Sequence, residues 1–153
     1  MNRLVDDLLS LARKGQVVGE TTTVDVPAVA RRAWLGVETD GATLDLPETF
    51  TAEADEGRLV DLFSNLFANA VEHAGPGPTI RVEALDGAGF AVEDDGPGIP
   101  PERREQVLRP GETTGKGGIG YGLAIVDQIV EAHGWSLTVT DGDEGGARFE
   151  VSW

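Results

Sequence analysis

Two asparagines stand four residues apart in the segment Asn65-Leu-Phe-Ala-Asn69. On a helix this spacing turns both amides toward the same side, and the residues between and around them are apolar. Neutral amide oxygens beside an apolar face could hold a hard cation such as Mg²⁺ or bond to a ligand. Two solvated asparagines are the simpler interpretation, because asparagine is mostly an exposed residue.

A second segment, Glu93-Asp-Asp-Gly-Pro-Gly-Ile-Pro100, places acidic residues at the end of a predicted strand and directly before glycines. The glycines allow the backbone to approach a flat ligand closely. A carboxylate at this point could accept a hydrogen bond from an exocyclic amine. Asp-Gly and Pro-Gly are also common turn formers, so an ordinary turn is the alternative.

The third segment, Gly115-Lys-Gly-Gly-Ile-Gly-Tyr-Gly122, runs directly into a predicted helix. Free N–H groups and the positive end of the helix dipole would make it an anion site. It is not a P-loop, because Gly117 follows Lys116 and Pro110 stands where the first glycine belongs. No strand precedes its G-x-G-x-x-G pattern, so a dinucleotide fold is unsupported. A flexible glycine linker is the alternative.

Apolar periodicity predicts the elements that would position these segments. The spacing predicts a long helix from Asp55 to Ala74, with shorter ones over about 27–34 and 122–133. Alternating residues predict strands at 21–26, 42–46, 49–52, 80–85, 89–93, 136–141 and 147–151. We therefore expect an α+β fold, a two-layer α/β sandwich with one mixed sheet of about five strands and three main helices on one face. Leu4, Leu8, Leu11 and Ala12 also recur at helical spacing and would share one face of a short opening helix.

The composition excludes several kinds of site. The 153 residues include 27 Asp and Glu, 12 Lys and Arg and no cysteine, with a net charge of −15. Disulfides, a thiolate nucleophile and a cysteine-based zinc site are therefore absent. The negative charge disfavours nucleic acid and anionic membrane surfaces as partners. Only two lysines occur, and an acidic, lysine-poor chain favours a saline environment, with an ordinary acidic cytosolic domain as the alternative.

Together, the three segments resemble in order and spacing the N, G1 and G2 boxes of the Bergerat-type ATPases. That superfamily includes sensor histidine kinases, gyrase B subunits, ninety-kilodalton heat-shock chaperones and MutL proteins. The resemblance covers residues 20–153. It extends to Val107-Leu-Arg-Pro-Gly-Glu-Thr-Thr114, a weak form of the box before the lid, and to Gly145-Gly-Ala-Arg-Phe149. It implies the Bergerat ATP-binding fold.

The residue at position 65 indicates the subclass. The ATP-hydrolysing members typically carry a glutamate here that activates water, whereas the amide of Asn65 cannot act as a general base. The chain thus most resembles sensor histidine kinases, which deliver the γ-phosphate of ATP to a histidine. On this basis residues 17–153 are expected to form the catalytic ATP-binding domain. Residues 1–16 resemble the last turns of a dimerisation and phosphoacceptor helix.

The resemblance also implies roles for individual residues. Asn65 and Asn69 would be catalytic, with Asn69 holding Mg²⁺ on the phosphates. Asp94 would accept a hydrogen bond from the adenine amine, and residues 101–117 would form a mobile ATP lid. The other expected nucleotide contacts, which shape the base pocket or meet the phosphates, are His73, Gly96, Gly98, Ile99, Arg104, Lys116, Gly118, Gly120, Tyr121, Gly122 and Leu123.

Some positions depart from the family pattern. Glu72 and His73 stand where kinases often carry Lys or Arg followed by Tyr or Phe, and Ile119 replaces a threonine. Glu72 removes a cation near the triphosphate, so lid cations such as Arg104 and Lys116 would have to screen it. Nucleotide binding weaker than is typical for the family is therefore expected.

The phosphoacceptor is expected outside this chain. His73 and His133 are the only histidines, and neither lies in a segment that resembles an acceptor box. We expect His73 to line the pocket edge and His133 to cap a helix before Gly134. The chain should bind ATP and Mg²⁺ without phosphorylating itself. Its expected partners are the dimerisation helices of its parent kinase and, indirectly, a response regulator, in the cytoplasm and without direct membrane contact.

Three rival functions remain open. An anti-sigma-type serine kinase shares the fold but would lack the dimerisation helix that Leu4 to Ala12 resembles. A gyrase-type hydrolase would need the base that Asn65 replaces. Glu72 and Ile119 favour a degenerate nucleotide-sensing module. Finally, the acidic composition, with Asn69-Ala-Val-Glu-His73 and Glu131-Ala-His-Gly-Trp135, resembles kinases of haloarchaea.

Overall fold

The computed structural model describes residues 20–39, 41–73, 77–98, 120–142 and 145–153. Within these ranges, three helices and seven strands follow the predicted order. The helices are α1 (Val26–Leu35), α2 (Glu56–His73) and α3 (Gly120–Ala132). The strands are β1 (Thr22–Asp25), β2 (Thr43–Asp45), β3 (Thr51–Ala54), β4 (Thr79–Ala84), β5 (Gly89–Asp94), β6 (Ser136–Asp141) and β7 (Ala147–Ser152). The predicted opening helix over residues 1–16 and the predicted lid over 101–117 lie outside the described residues.

Five of these strands form one mixed sheet in the order β2-β4-β5-β7-β6. β2 and β4 are parallel, and every other neighbouring pair in this sheet is antiparallel. A parallel pair requires a crossover connection, which here runs through β3 and α2. The predicted hairpin between β4 and β5 is confirmed, and its turn residues Asp86 and Gly87 both have positive φ angles, of 46° and 78°.

The helices cover one face of this sheet. Alternate residues of β4 and β7 are buried, among them Ile80, Val82 and Phe149. Phe63 of α2 lies over Phe90 of β5, with ring centroids 5.1 Å apart. Helix α2 also packs against both α1 and α3. The predicted α+β sandwich, with its five-stranded mixed sheet and three helices, is therefore confirmed.

Capping residues set where the first two helices begin. The side chain of Asp25 accepts a hydrogen bond from the Ala28 amide at 3.2 Å, and Pro27 occupies the first turn of α1. Asp55 Oδ1 accepts one from the Arg58 amide at 3.2 Å. Because Asp55 acts as the cap, α2 begins at Glu56, one residue later than predicted.

His133 joins the end of α3 to the start of α2. Its Nε2 accepts a hydrogen bond from the Asp55 amide at 3.1 Å, so the ring proton is on Nδ1, which lies 2.8 Å from the Ile129 carbonyl oxygen. Gly134 follows with a φ of 78°. The predicted capping role of His133 is confirmed, and the contact with Asp55 adds a link between two helices.

Two of the predicted strands lie outside the main sheet, which corrects the expectation of a single sheet. β1 and β3 form a separate antiparallel pair, in which Val24 lies opposite Ala52. β1 runs directly into α1, and one residue separates β3 from α2. The pair is therefore held at the starts of these helices. The strand predicted over residues 49–52 is displaced to Thr51–Ala54.

The face of the sheet opposite the helices carries a cluster of charged side chains around Arg148 of β7. The Arg148 guanidinium donates hydrogen bonds to Glu83 on β4 and to Glu93 on β5. Its Nε also donates one to Glu150 on β7, at 2.7 Å. The Arg148 side chain is 15% exposed and that of Glu93 is 6% exposed. Burial alone would lower the pKa of Arg148, but these carboxylates raise it above its ordinary value. Arg148 therefore stays charged and ties three strands together.

Candidate functional site

Asp94, at the end of β5, is the most constrained of the predicted site side chains that the structure describes. It is 8% exposed. Its Oδ1 accepts hydrogen bonds from the Gly96 amide at 2.9 Å and from the Ala147 amide at 3.3 Å. No other described residue donates to Oδ2. The fold thus fixes one carboxylate oxygen of Asp94 and leaves the other available to a ligand.

The surroundings of Asp94 shift its pKa upward. Burial is the largest cause, because it disfavours the charged carboxylate. The two backbone N–H bonds oppose this shift, while the nearby carboxylates Asp95 and Glu93 add to it. A partly desolvated carboxylate with an open acceptor position bonds strongly to an N–H donor, since a poorly solvated hydrogen bond competes less with water.

A small cavity of about 100 Å³ lies beside this carboxylate. Asp95, at its rim, accepts a hydrogen bond from the Thr79 amide at 3.0 Å and so ties the start of β4 to the end of β5. The residues that line the cavity are Thr79, Arg81, Glu93, Asp94 and Asp95.

The glycine predicted at position 98 is required by the backbone. Gly98 has a φ of 79°, a conformation that side chains of L-residues rarely adopt. A Cβ there would also lie 2.6 Å from the Gly145 carbonyl oxygen. The segment after Asp94 can therefore pack against the start of β7 only with glycine at this position.

The two asparagines of α2 differ in their surroundings. Asn69 is 5% exposed, and no other described residue hydrogen-bonds to its amide. The Asn69 side chain is therefore largely buried and not fully solvated. Among the described residues, the buried side-chain polar atom without a partner is Gln128 Oε1, so the amide of Asn69 keeps some contact with solvent and is accessible to a ligand.

Asn65 is half-buried, and its Nδ2 donates to the Asp61 carbonyl oxygen at 2.7 Å, one turn back along α2. This bond orients the amide and leaves its oxygen free to accept. Asn65 faces a cavity of about 620 Å³ between α2 and the end of α1. The other residues that line this cavity are Gly36, Val37, Glu38, Ser64, Ala68, Val71 and Glu72.

Asn69 and Asp94 lie at the same end of the domain. Helix α2 ends at His73, and β4 begins six residues later at Thr79. Ile80 of β4 lies opposite Asp94 in the sheet. Since Asn69 is one turn before the end of α2, the short connection from α2 to β4 brings the amide and the carboxylate to one end of the two layers.

The third predicted segment is described only from Gly120 onward. Helix α3 begins at Gly120 and not at Gly122, so Gly120, Tyr121 and Gly122 form its first turn. Backbone N–H groups in a first turn lack partners within the helix and carry the positive end of its dipole. Leu123, which the family pattern also suggested, is 2% exposed and packs in the core, so its side chain is not open to a ligand.

Several expected contacts lie outside the described residues: Ile99, Arg104, Lys116 and Gly118. His73 is the last residue of α2. Across the described ranges, no group of three or more His, Cys, Asp or Glu side chains is placed to hold a metal ion. A Mg²⁺ ion here would therefore rely on an amide oxygen, water and substrate oxygens, which is common for this ion.

Two residues that act on Asp94 were not predicted from the sequence: Ala147, which donates the second N–H, and Gly146 before it. The Gly145-Gly146 pair was noticed as part of a family pattern. Its contact with a residue more than fifty positions earlier has no local signal in the sequence.

Comparisons with known proteins agree with this geometry. The sequence model of the family described as "Histidine kinase-, DNA gyrase B-, and HSP90-like ATPase" matches residues 54–153. The chain belongs to this family, and it is an ATP-binding catalytic domain of the sensor histidine kinase type.

Two curated relatives illustrate the match. Sensor histidine kinase ZraS of Salmonella typhimurium is 32% identical over 162 aligned residues, which cover 99% of this chain and 34% of ZraS. Two-component sensor PhoQ of Pseudomonas aeruginosa is 37% identical over 112 residues, covering 70% of this chain and 25% of PhoQ. The chain thus spans about a third or less of the length of these relatives.

Two solved structures share the fold. The mycobacterial sensor histidine kinase MprB has a TM-score of 0.69 at 26% identity, covering 86% of this chain and 95% of that one. Full-length ShkA in complex with AMPPNP has a TM-score of 0.73 at 31% identity, covering 97% of this chain and 34% of ShkA. Among the described helices of the present chain, none is long and apolar enough to cross a membrane.

Proposed function

We propose that this domain binds Mg·ATP and supplies the γ-phosphoryl group to a histidine outside the chain, on the dimerisation and phosphoacceptor helices of its parent kinase. A response regulator would receive the phosphoryl group from that histidine. The observation that carries the proposal is the pair of unfilled polar groups at one end of the domain. These are the open Oδ2 of Asp94 and the amide of Asn69, a largely buried side chain to which no described residue hydrogen-bonds.

Each described site residue has a definite task in this proposal. The free oxygen of Asp94 accepts a hydrogen bond from the adenine amine, and Gly98 keeps the backbone beside the base compact. The first turn of α3 presents N–H groups to the phosphates. The amide oxygen of Asn69 would bind Mg²⁺, which neutralises phosphate charge during transfer. That ion matters in a chain of net charge −15, since ATP is itself an anion.

Asn65 supports transfer rather than hydrolysis. An amide has no basic lone pair that could take a proton from water, and the Nδ2 of Asn65 is already committed to the Asp61 carbonyl oxygen. Phosphoryl transfer to a histidine needs no protein base, because positioning and charge neutralisation supply most of the catalysis. The nucleophile would come from the parent kinase, so this chain alone would bind ATP without phosphorylating itself.

We also propose that the domain acts in the cytoplasm, where ATP is available, whether or not its parent is membrane-anchored. The charge of −15 makes direct contact with anionic lipid or nucleic acid unfavourable. The contacts of the domain would instead be with the helices of its own parent kinase.

Calorimetry with a non-hydrolysable ATP analogue and Mg²⁺ in high KCl tests nucleotide binding. The wild-type chain should bind the analogue. Asn69→Ala should lose the part of the affinity that depends on Mg²⁺, and Asp94→Ala should lose the part that depends on the adenine amine. Thermal melts of each variant serve as the control for folding. A wild-type chain that does not bind the analogue would contradict the proposal.

Phosphoryl transfer requires a second experiment. A separately prepared dimer of the acceptor helices should gain acid-labile phosphate when it is mixed with the domain and Mg·ATP. An Asn65→Asp variant is the informative comparison, because a carboxylate at this position is expected to divert phosphate to water. Inorganic phosphate release by the wild type, without transfer, would instead favour a hydrolase.

One observation favours a second function, that of a degenerate nucleotide-sensing module. Glu72 is exposed and lines the same cavity as Asn65, so a negative charge lies where family members often place a cation. Intact nucleotide binding together with no transfer to the acceptor helices would support this function. Replacement of Glu72 by lysine should then restore transfer if the charge is the cause.

A further inference from the structure

We infer that Gly146 is a positioning residue for Asp94, and that the start of β7 thereby sets the ability of the site to recognise the amino group of adenine. This inference rests on the proposed function. It adds a residue on the last strand to a base site that otherwise consists of Asp94 and the glycines after it.

The first observation is the space around Gly146. A Cβ at this position would overlap the backbone oxygen of Asp94 and would lie 2.5 Å from Asp94 Oδ1. Gly146 does not have a positive φ angle, so its backbone conformation is open to other residues. What requires glycine here is the close approach of the β7 backbone to Asp94.

The second observation is the bond that this approach allows. The next residue, Ala147, donates its backbone N–H to Asp94 Oδ1 at 3.3 Å. Together with the Gly96 N–H, it fills one carboxylate oxygen and leaves Oδ2 open. A carboxylate that lacked the Ala147 bond would keep only the Gly96 bond on Oδ1, so its plane would be less well fixed and Oδ2 could turn away from the ligand.

The third observation is that the turn before β7 is itself held in place. Gly142 donates its N–H to the Gly146 carbonyl oxygen at 2.6 Å, and Gly145 donates to the Gly142 carbonyl oxygen at 3.1 Å. A Cβ at Gly142 would lie 3.3 Å from the Asp94 backbone oxygen. The backbone around Asp94 is therefore closely packed on the side of β7, and a substituent at position 146 has no free space to enter.

Gly145 provides a matched control. It precedes Gly146 directly and has a φ of 88°, but a Cβ there would have no atom within 4 Å. Gly145→Ala therefore strains the backbone without touching Asp94, whereas Gly146→Ala displaces Asp94 without a conformational penalty of its own. A difference between the two variants reports on the contact with Asp94 and not on a general loss of stability.

The test compares the dissociation constants of ATP and of purine riboside triphosphate, which lacks the 6-amino group, by calorimetry in high KCl. The wild type should prefer ATP by about tenfold or more, as expected for a hydrogen bond to a charged group. Gly146→Ala should reduce this preference to within about twofold, while its affinity for the purine analogue changes less than about threefold. Gly145→Ala should keep the wild-type preference.

If Gly146→Ala does not fold, a backbone ester at Ala147, introduced as lactic acid, removes the N–H without adding an atom. It should cause the same loss of preference. Unchanged preference in a folded Gly146→Ala variant, or in the ester variant, would overturn the inference. Asp94→Ala separates the two claims: if it too keeps the preference for ATP, the proposed role of Asp94 is wrong. If Asp94→Ala loses the preference and Gly146→Ala does not, only the role of Gly146 is wrong.

Discussion

Glu93 and Asp94 are consecutive carboxylates at the end of β5, but their side chains point to opposite faces of the sheet and have different partners. Glu93 points to the open face of the sheet, where the Arg148 guanidinium binds it. Asp94 points toward the helices, where two backbone N–H groups hold one of its oxygens. Both residues are buried, at 5% and 8% exposed. Burial alone therefore does not identify a functional carboxylate.

The two carboxylates differ in how far other groups of the chain compensate their negative charge. Arg148 compensates the charge of Glu93 and joins it to Glu83 and Glu150. No cation among the described residues compensates Asp94, and its pKa is raised. Buried charges are normally paired, so an unpaired one with an open acceptor oxygen indicates a place for a ligand. The following predictions test this division between a structural carboxylate and a ligand-binding one.

The largest effect is expected on the structural side. Arg148→Met removes the cation that pairs with Glu83, Glu93 and Glu150 and leaves these three carboxylates facing one another. The free energy of unfolding should fall by roughly 3 kcal/mol, as for other broken buried ion pairs. Urea unfolding measures this change.

Arg32→Met is the matched control for that experiment. Arg32 pairs with Glu56 at 2.6 Å, but the two side chains are 64% and 51% exposed. Exposed pairs contribute about 0–1 kcal/mol, so this variant should unfold nearly as the wild type does. Equal losses in the two variants would show that the Arg148 cluster is an ordinary surface network.

On the ligand side, Asp94→Asn should lower ATP affinity by about 10- to 100-fold, since a charge-assisted hydrogen bond is lost. The Gly96 and Ala147 amides would select the asparagine oxygen as their acceptor. The asparagine NH₂ would then occupy the position of Oδ2 and present donors to the adenine amine, which is itself a donor. Calorimetry measures the affinity, and a variant that binds ATP as the wild type does would remove Asp94 from the site.

The pH dependence of stability provides a finer test of the same carboxylate. The folded chain binds the Asp94 proton more tightly than the unfolded chain does, because burial raises the folded pKa above 3.8. The contribution of Asp94 to stability is therefore greatest below that value and is lost as the pH rises through the folded pKa. ATP affinity should change in the opposite direction, since binding needs the ionised form.

The measurement is the free energy of unfolding of the wild type minus that of Asp94→Asn, followed upward from acid pH. The difference should become less favourable to the wild type as the pH rises. Asp127, whose pKa is also raised, is present in both proteins, so its contribution to the two free energies of unfolding cancels in the difference. A difference that does not vary with pH would mean that Asp94 is well solvated.

The smallest effect is expected from salt. Screening of a net charge of −15 relieves repulsion across the surface, so the melting temperature should rise with KCl by roughly 3 °C for each kcal/mol of repulsion removed. The buried pairs of Arg148 should be weakened much less, because buried charges are screened less than exposed ones. Greater stability in low-salt buffer would contradict the prediction, made from composition, that the chain is suited to a saline environment.

The sequence predicted well those features that depend on neighbouring residues. The periodicity from Leu59 to Ala70 predicted α2, and alternation predicted β4, β5, β6 and β7 to within one residue at each end. Asn65, Asn69 and Asp94 were selected as candidates because each lies within a short segment of characteristic composition. The structure then placed Asn69 and Asp94 at one end of the domain.

Features that depend on distant pairings were missed. Nothing local in residues 49–54 indicates that this strand pairs with β1 in a separate sheet. The Arg148 cluster draws its members from three strands, and the contact of Gly146 with Asp94 spans 52 positions. Such contacts follow from strand order, which residue patterns within single segments do not encode.

The most direct test of the division between the two carboxylates uses Glu93→Gln and Asp94→Asn side by side. Both variants are titrated with an ATP analogue and Mg²⁺ in high KCl, after thermal melts have established that they are folded there, and both are unfolded in urea. Asp94→Asn should lose nucleotide affinity and keep its stability, whereas Glu93→Gln should lose stability and keep its affinity. Equal losses of affinity in both variants, or none in either, would contradict the assignment of Asp94 as the ligand-binding carboxylate.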